Sequence, residues 1–187
     1  ITRTIDSDAN LTIHPRESWS EISVAKTRFK LASLPVNSFP QLTKFSSEHR
    51  IQVTQNDLLH LLNRTGFAMA SQDVRFFLNG MLIRLDGQKI HAVATDGHRL
   101  SLNALDQSSF SKLKTEHDAS DPETTHFMVP RKTIQELRKH LQESDAPVEL
   151  AIGSQHMSIV SDEIAIYSNL IDGKYPNYQK LIPRHFN

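Results

Sequence analysis

The run Ile51-Gln52-Val53-Thr54-Gln55-Asn56-Asp57-Leu58-Leu59-His60-Leu61-Leu62 changes period part-way along, and that change decides the fold. Residues 51–53 alternate as a strand does, Thr54 is a residue type that caps helices, and Leu58, Leu61 and Leu62 fall on one helical face. Gly66 is a natural stop. Downstream, residues 76–85 read as a strand broken at Asn79-Gly80, 89–94 as a second strand after a turn at Asp86-Gly87, and 99–104 as a third. The unit is strand, helix, three strands. It then returns: 127–129 reads as a strand, Pro130 opens a helix where its missing N–H costs nothing, and Ile134, Leu137 and Leu141 make the apolar stripe. Strands at 148–152, 156–160 and 163–170 complete the second copy. Between the copies, residues 108–125 are polar and charged, contain Pro122, and read as a long surface connection. Two such copies suit an α+β architecture in which one layer of helices is backed by antiparallel sheets.

Working outward toward the start, residues 11–14, 19–24 and 28–34 form three short alternating segments, with Phe29 and Leu31 on one face and Lys30 on the other. They read as adjacent antiparallel strands and repeat the tail of the unit a third time. The link Leu34-Pro35-Val36-Asn37-Ser38-Phe39-Pro40 interrupts them, because proline cannot continue a ladder and restricts the residue before it; Tyr175-Pro176 echoes it near the end. The division expected is residues 1–46 as the last strands of a preceding, similar domain plus a linker, and 47–187 as one complete domain. The chain opens on Ile1 and enters strand-like sequence almost at once, so it reads as a piece of something longer.

Composition narrows the function classes. With 187 residues and 38% apolar content the chain can bury one core of ordinary size, and a second only in part. Lysine plus arginine equal aspartate plus glutamate at 21 each, so any contact with nucleic acid must come from local patches. The absence of cysteine leaves no disulfide framework and no thiolate metal site, which fits a cytoplasmic protein. No apolar run approaches the roughly 20 residues that cross a bilayer, and residues 1–10 lack the apolar centre of a signal peptide, so no membrane role is expected.

Four segments offer chemistry. Thr95-Asp96-Gly97-His98-Arg99-Leu100 is the densest polar cluster and lies in a turn between strands. A small hydrolase would use His98 as a base oriented by Asp96, yet no cysteine and no glycine-flanked serine elbow supplies the nucleophile. The simpler reading is a turn whose backbone angles Asp96-Gly97 provide. The ten histidines are scattered without a His-x-x-x-His pair on a helix, so no metal site and no cofactor is expected. Gln72-Asp73-Val74-Arg75-Phe76-Phe77-Leu78-Asn79-Gly80-Met81 mixes a guanidinium, an amide and two rings, which suits phosphates and bases, although alternation assigns one of the two phenylalanines to a core. On the second helix Arg131, Lys132, Arg138 and Lys139 face only Glu136, a local positive surplus that suits a phosphate backbone read without sequence preference, or else a solvated face. A stand-alone DNA-binding module is therefore another reading.

Residues 72–81 followed by Ala94-Thr95-Asp96-Gly97-His98-Arg99-Leu100 closely resemble, in order and spacing, the middle domain of the bacterial DNA sliding clamp, the beta subunit of DNA polymerase III. Val129-Pro130-Arg131-Lys132 and Asp172-Gly173-Lys174-Tyr175-Pro176-Asn177-Tyr178 resemble the same family, and residues 31–42 resemble its join between first and middle domains. The likeness covers nearly the whole chain. It implies the DNA clamp fold, with helices on one side and antiparallel sheets on the other. In that family two subunits of three similar domains make a homodimeric ring that encircles double-stranded DNA and is a non-catalytic processivity factor in replication.

Two sites come with the resemblance. A pocket for a short Gln-Leu-rich peptide, carried by the polymerase III alpha subunit, the clamp loader and repair polymerases, matches Leu78, Thr95, Gly97, His98, Arg99, Leu100, Pro176, Lys180 and Leu181. Lys180 stands where the family often has arginine, which would turn a planar bidentate contact into a point charge. DNA contact matches Gln72 and Arg75, with Phe76 and Phe77 where tyrosines are familiar. Arg131, Lys132, Arg138 and Lys139 join that set on their charge, with less support from the motif.

Overall fold

A computed structural model describes residues 5, 8–39, 45–113 and 125–182. Pro40 in the link, and residues 114–124 with Pro122, lie outside the described residues. The chain divides into two compact units, Ile1–Thr43 and Lys44–Asn187.

In the first unit β1 (Leu11–Pro15), β2 (Trp19–Val24) and β3 (Thr27–Ala32) form an antiparallel meander with β2 in the middle. Leu11 lies opposite Val24 and Trp19 opposite Ala32. The tight turn between β2 and β3 places Ala25 at φ +50°, and the Lys30 ammonium sits 4.2 Å from the centre of the Trp19 ring.

The second unit carries the duplication. Its first copy is β4 (His49–Thr54), α1 (Gln55–Gly66), β5 (Gly80–Leu85), β6 (Lys89–Thr95) and β7 (Leu100–Asp106), followed by a short β8 (Phe110–Leu113). The second is β9 (Thr125–Pro130), α2 (Arg131–His140), β10 (Pro147–Ile152), β11 (His156–Val160) and β12 (Ala165–Asn169). The copies exchange their opening strands. One sheet runs β7-β6-β5-β9 and the other β12-β11-β10-β4-β8, so each copy's hairpin strands are completed by the first strand of the other. Every neighbouring pair is antiparallel.

Local chemistry explains the helices. The Thr54 hydroxyl accepts the Asp57 N–H at 3.0 Å, a cap of the kind that contributes about 1 kcal/mol. Leu58, Leu59, Leu61 and Leu62 of α1 and Ile134 and Leu137 of α2 are buried. They meet Ile51 and Val53 of β4, Met81, Ile83 and Leu85 of β5, and Val148, Leu150 and Ile152 of β10 in one core. Burying each such side chain contributes roughly 1.5–3 kcal/mol, so this core holds the two copies together. No helix among the described residues is long and apolar enough to cross a membrane, which leaves β-barrels unaddressed.

Three details depart from the sequence reading. Residues 76–85 are not one broken strand: Phe76–Leu78 is a 3-10 turn and β5 starts at Gly80, because the chain there must lay Leu78 into a second core. The connection expected over 108–125 contains β8, whose Phe110 pairs with Val53 and packs on the main core. Pro130 is the last residue of β9 and the N-cap of α2, one position before its first turn.

Candidate functional site

The turn between β6 and β7 is built by side chains that bond to its own backbone. The Thr95 hydroxyl donates to the Arg99 carbonyl at 2.7 Å and accepts the Gly97 N–H at 3.1 Å. Asp96 Oδ1 accepts the N–H groups of His98 and Arg99, each at 3.0 Å, while Oδ2 accepts Arg99 Nε at 3.0 Å. Gly97 has φ +90°, a backbone that glycine adopts without strain. His98 and Arg99 face solvent, and Arg99 lies 5.7 Å from the centre of the Phe67 ring. The hydrolase reading loses its geometry here, since both Asp96 oxygens serve the turn and Arg99 rather than the His98 imidazole.

The His98 N–H, then the Arg99 N–H, hold the Asp96 carboxyl down to about 2. A lowered carboxyl stabilises the fold fully above its ordinary value near 4, and that contribution is lost as pH falls through the folded value. The amide resonances of His98 and Arg99 should therefore titrate together, with a midpoint near 2. A midpoint near the ordinary carboxylate value would show that Asp96 does not cap the turn.

Beside this turn lies the outer face of the β7-β6-β5-β9 sheet. The strands turn Met81, Ile83 and Leu85 toward the helices and Leu82, Val93 and Met128 away from them, where a second core gathers Ala70, Leu78, Tyr175 and Tyr178. Phe77, Leu100 and Ile171 pack against it. Leu78 is only 2% exposed, so it lies under this surface, whereas Pro176 is half-buried and Lys180 and Leu181 are open to solvent. The Tyr178–Lys180 turn presents Leu181, whose N–H donates to the Tyr178 carbonyl at 2.9 Å. Burial pushes the Tyr175 phenol up to about 12, against an opposing interaction with the Thr95 backbone. The sequence reading missed Leu82, Val93, Met128, Tyr175 and Tyr178 as the support of this face. Leu102, 42% exposed and two residues along from Leu100, was also missed, although strand alternation marks it.

The loop before β5 is tied down as well. Arg75 Nε and Nη2 donate to the two Asp73 oxygens at 3.0 and 2.7 Å, and Nη2 reaches the Asp96 carbonyl at 3.3 Å. The Arg75 side chain holds the Asp73 carboxyl down to about 2. Gln72 is exposed and has φ +61°. Phe76 is exposed, near Gly173, while Phe77 is half-buried with its ring edge-on to Phe76 at 5.7 Å. The expected division into one core ring and one outer ring is thus Phe77 inside and Phe76 outside.

The four basic residues of α2 do not act alike. Arg131 donates to the Met69 and Ala70 carbonyls at 2.8 and 3.2 Å, which makes it a brace for the chain leaving α1. Arg138 Nε donates to Asn63 Oδ1 at 2.7 Å, Lys139 pairs with Glu136 at 2.8 Å, and Lys132 is exposed. Among the described residues no group of three or more His, Cys, Asp or Glu is placed to hold a metal ion.

The profile of the DNA polymerase III beta subunit central domain matches residues 52–177. The chain belongs to this family. The beta sliding clamp of Pseudomonas aeruginosa is 35% identical over 184 residues, which is 98% of this chain and 47% of that protein. The beta sliding clamp of Vibrio cholerae is 35% identical over 185 residues, covering 99% and 48%. A crystal structure of the DNA polymerase III subunit beta from Pseudomonas aeruginosa superposes with a TM-score of 0.77 at 35% identity, covering 98% of this chain and 47% of that one. The chain thus spans about half the length of the beta sliding clamps it matches. The superposition takes in both copies of the strand-helix-three-strand unit, so this chain, with its exchanged opening strands, shares the fold of that beta subunit.

Proposed function

We propose that this chain is the middle portion of a non-catalytic processivity clamp, acting in the cytoplasm within a homodimeric ring that encircles double-stranded DNA. Residues 1–46 are the last strands of a first clamp domain plus the linker, and 47–187 are the middle domain. The observation that supports this most is the conjunction of the central-domain match over 52–177 with a rigidly capped turn beside an apolar outer face.

That surface suits a short extended peptide ending in leucine and phenylalanine, carried by the polymerase III alpha subunit, the clamp loader or repair polymerases. Leu100, Pro176 and Leu181 supply apolar contact over Leu78, and Thr95 and Gly97 set the backbone. His98, Arg99 and Lys180 offer polar contacts at its rim. An NMR titration with the peptide Gln-Leu-Ser-Leu-Phe tests this. Shifts should cluster at residues 95–100 and 176–181, whereas shifts scattered elsewhere, or none at millimolar peptide, would reject the peptide site on this chain.

DNA contact is assigned to Gln72, Arg75, Phe76 and Phe77, with Lys132, Arg138 and Lys139 adding charge from α2 and Arg131 acting through its brace. Binding of this kind is independent of sequence, with Kd no tighter than about 10⁻⁴ to 10⁻⁶ M, and weakens steeply with added salt. An affinity for short duplexes that is indifferent to salt would refute phosphate contact.

A further inference from the structure

Asp73 and Asn79, which the site assignments above leave out, stand between the two proposed contacts. The Asn79 side chain grips the Asp73 backbone from both sides, accepting its N–H at 2.9 Å and donating to its carbonyl at 2.8 Å. Asn79 is itself anchored, since its carbonyl accepts the Arg131 N–H at the start of α2 at 2.9 Å. Asp73 so fixed holds Arg75 by the Nε–Nη2 edge of the guanidinium. The other edge lies against the partner-side turn: Nη2 donates to the Asp96 carbonyl, and both terminal nitrogens come within 3.0 and 3.1 Å of where a side chain on Gly97 would begin.

A guanidinium grips a phosphate best through two parallel N–H groups along one edge. In Arg75 one edge is occupied by Asp73 and the other faces Asp96 and Gly97. A bidentate phosphate must therefore displace one of them, and the single bond to the Asp96 carbonyl, the longest of the three at 3.3 Å, is the one that gives way. The turn then loses the group that braces it from this side.

We propose that Asp73, set by Asn79, is a positioning residue that makes one guanidinium, Arg75, serve either the 95–100 turn or a DNA phosphate, so that duplex DNA and the partner peptide weaken each other's binding. This rests on the functional reading above. Coupling between binding sites is reciprocal and commonly amounts to a factor of at least about five. Saturating duplex should thus weaken peptide binding about fivefold, and saturating peptide should weaken duplex binding by the same factor.

The test measures peptide Kd on the full 187-residue chain at low salt, with and without a short duplex, for the wild type, Asp73→Asn and Arg75→Gln. Binding of each ligand alone is read first. Asp73→Asn keeps the backbone that Asn79 holds and removes the charged fork, so the fivefold coupling should shrink to a factor near one; Arg75→Gln should do the same. Peptide affinity unchanged by duplex in a wild-type chain that binds both ligands would overturn the relay and leave the clamp reading intact. A coupling equally large in both variants would mean that the ligands collide directly, and would also overturn it. Failure of either ligand to bind alone would overturn the site assignment and the relay with it.

Discussion

Replacing Gly80 by alanine should destabilise the second unit by about 3 kcal/mol, the upper part of the usual range for forcing an extra group into a packed site. Gly80 opens β5 and lies opposite Pro130 of β9. A Cβ there would fall 2.6 Å from the Val129 carbonyl oxygen and 2.6 Å from Ile171 Cδ1. Ile171 can swing aside, but the Val129 carbonyl belongs to the β5–β9 ladder that joins the two copies, and moving it disturbs that pairing. For a chain of this size the midpoint of thermal unfolding should fall by roughly 6–12 °C. Calorimetry on the variant decides it: a midpoint within one or two degrees of the wild type would show that strand β9 shifts freely, contrary to the packing described.

Leu61→Ala should cost as much or more, about 3–4 kcal/mol. Leu61 is 0% exposed on α1, in the core shared by both sheets. A small apolar void of about 20 Å³ already lies among Leu58, Leu61, Leu62, Ile83, Ile134 and Leu137. Truncation enlarges a space that neighbours have already failed to fill, so little relaxation is available to offset the lost contacts. Urea unfolding should show a lower midpoint with an unchanged slope, since the surface exposed on unfolding barely changes. A loss under 1 kcal/mol would mean that the core collapses onto the site. Because domains of this size are stable by only about 5–15 kcal/mol, either substitution removes a substantial share.

Much of the fold was legible because its signals are local. The leucines of α1 and the Ile134, Leu137 and Leu141 stripe obey the helical period, Thr54 caps as its chemistry dictates, and Asp86-Gly87 marks a hairpin where Gly87 has φ +81°. Strand β8 escaped because four residues, Phe110-Ser111-Lys112-Leu113, carry too little alternation to stand out from polar sequence around them. The polar cluster at 95–100 was legible as a turn, yet its stiffness was not, since it depends on which donors the folded chain offers to Asp96.

The basic helix shows the same limit from the other side. Four cations in ten residues look alike in sequence, but Arg131 turns back to the Met69 and Ala70 carbonyls while Lys132 stays in solvent. Which side chain meets which backbone is set by how α2 crosses the end of α1. By itself the sequence determined the repeat, the type and order of nearly every element, and the short motifs that carry the family likeness, all of them properties of residues close together along the chain. The exchange of opening strands between the two copies, the second core under the outer face, and the reach of Arg75, held by Asp73, to the Asp96-Gly97 turn follow from the tertiary structure alone. Those depend on contacts between residues far apart in sequence, for which local propensity and periodicity carry no information.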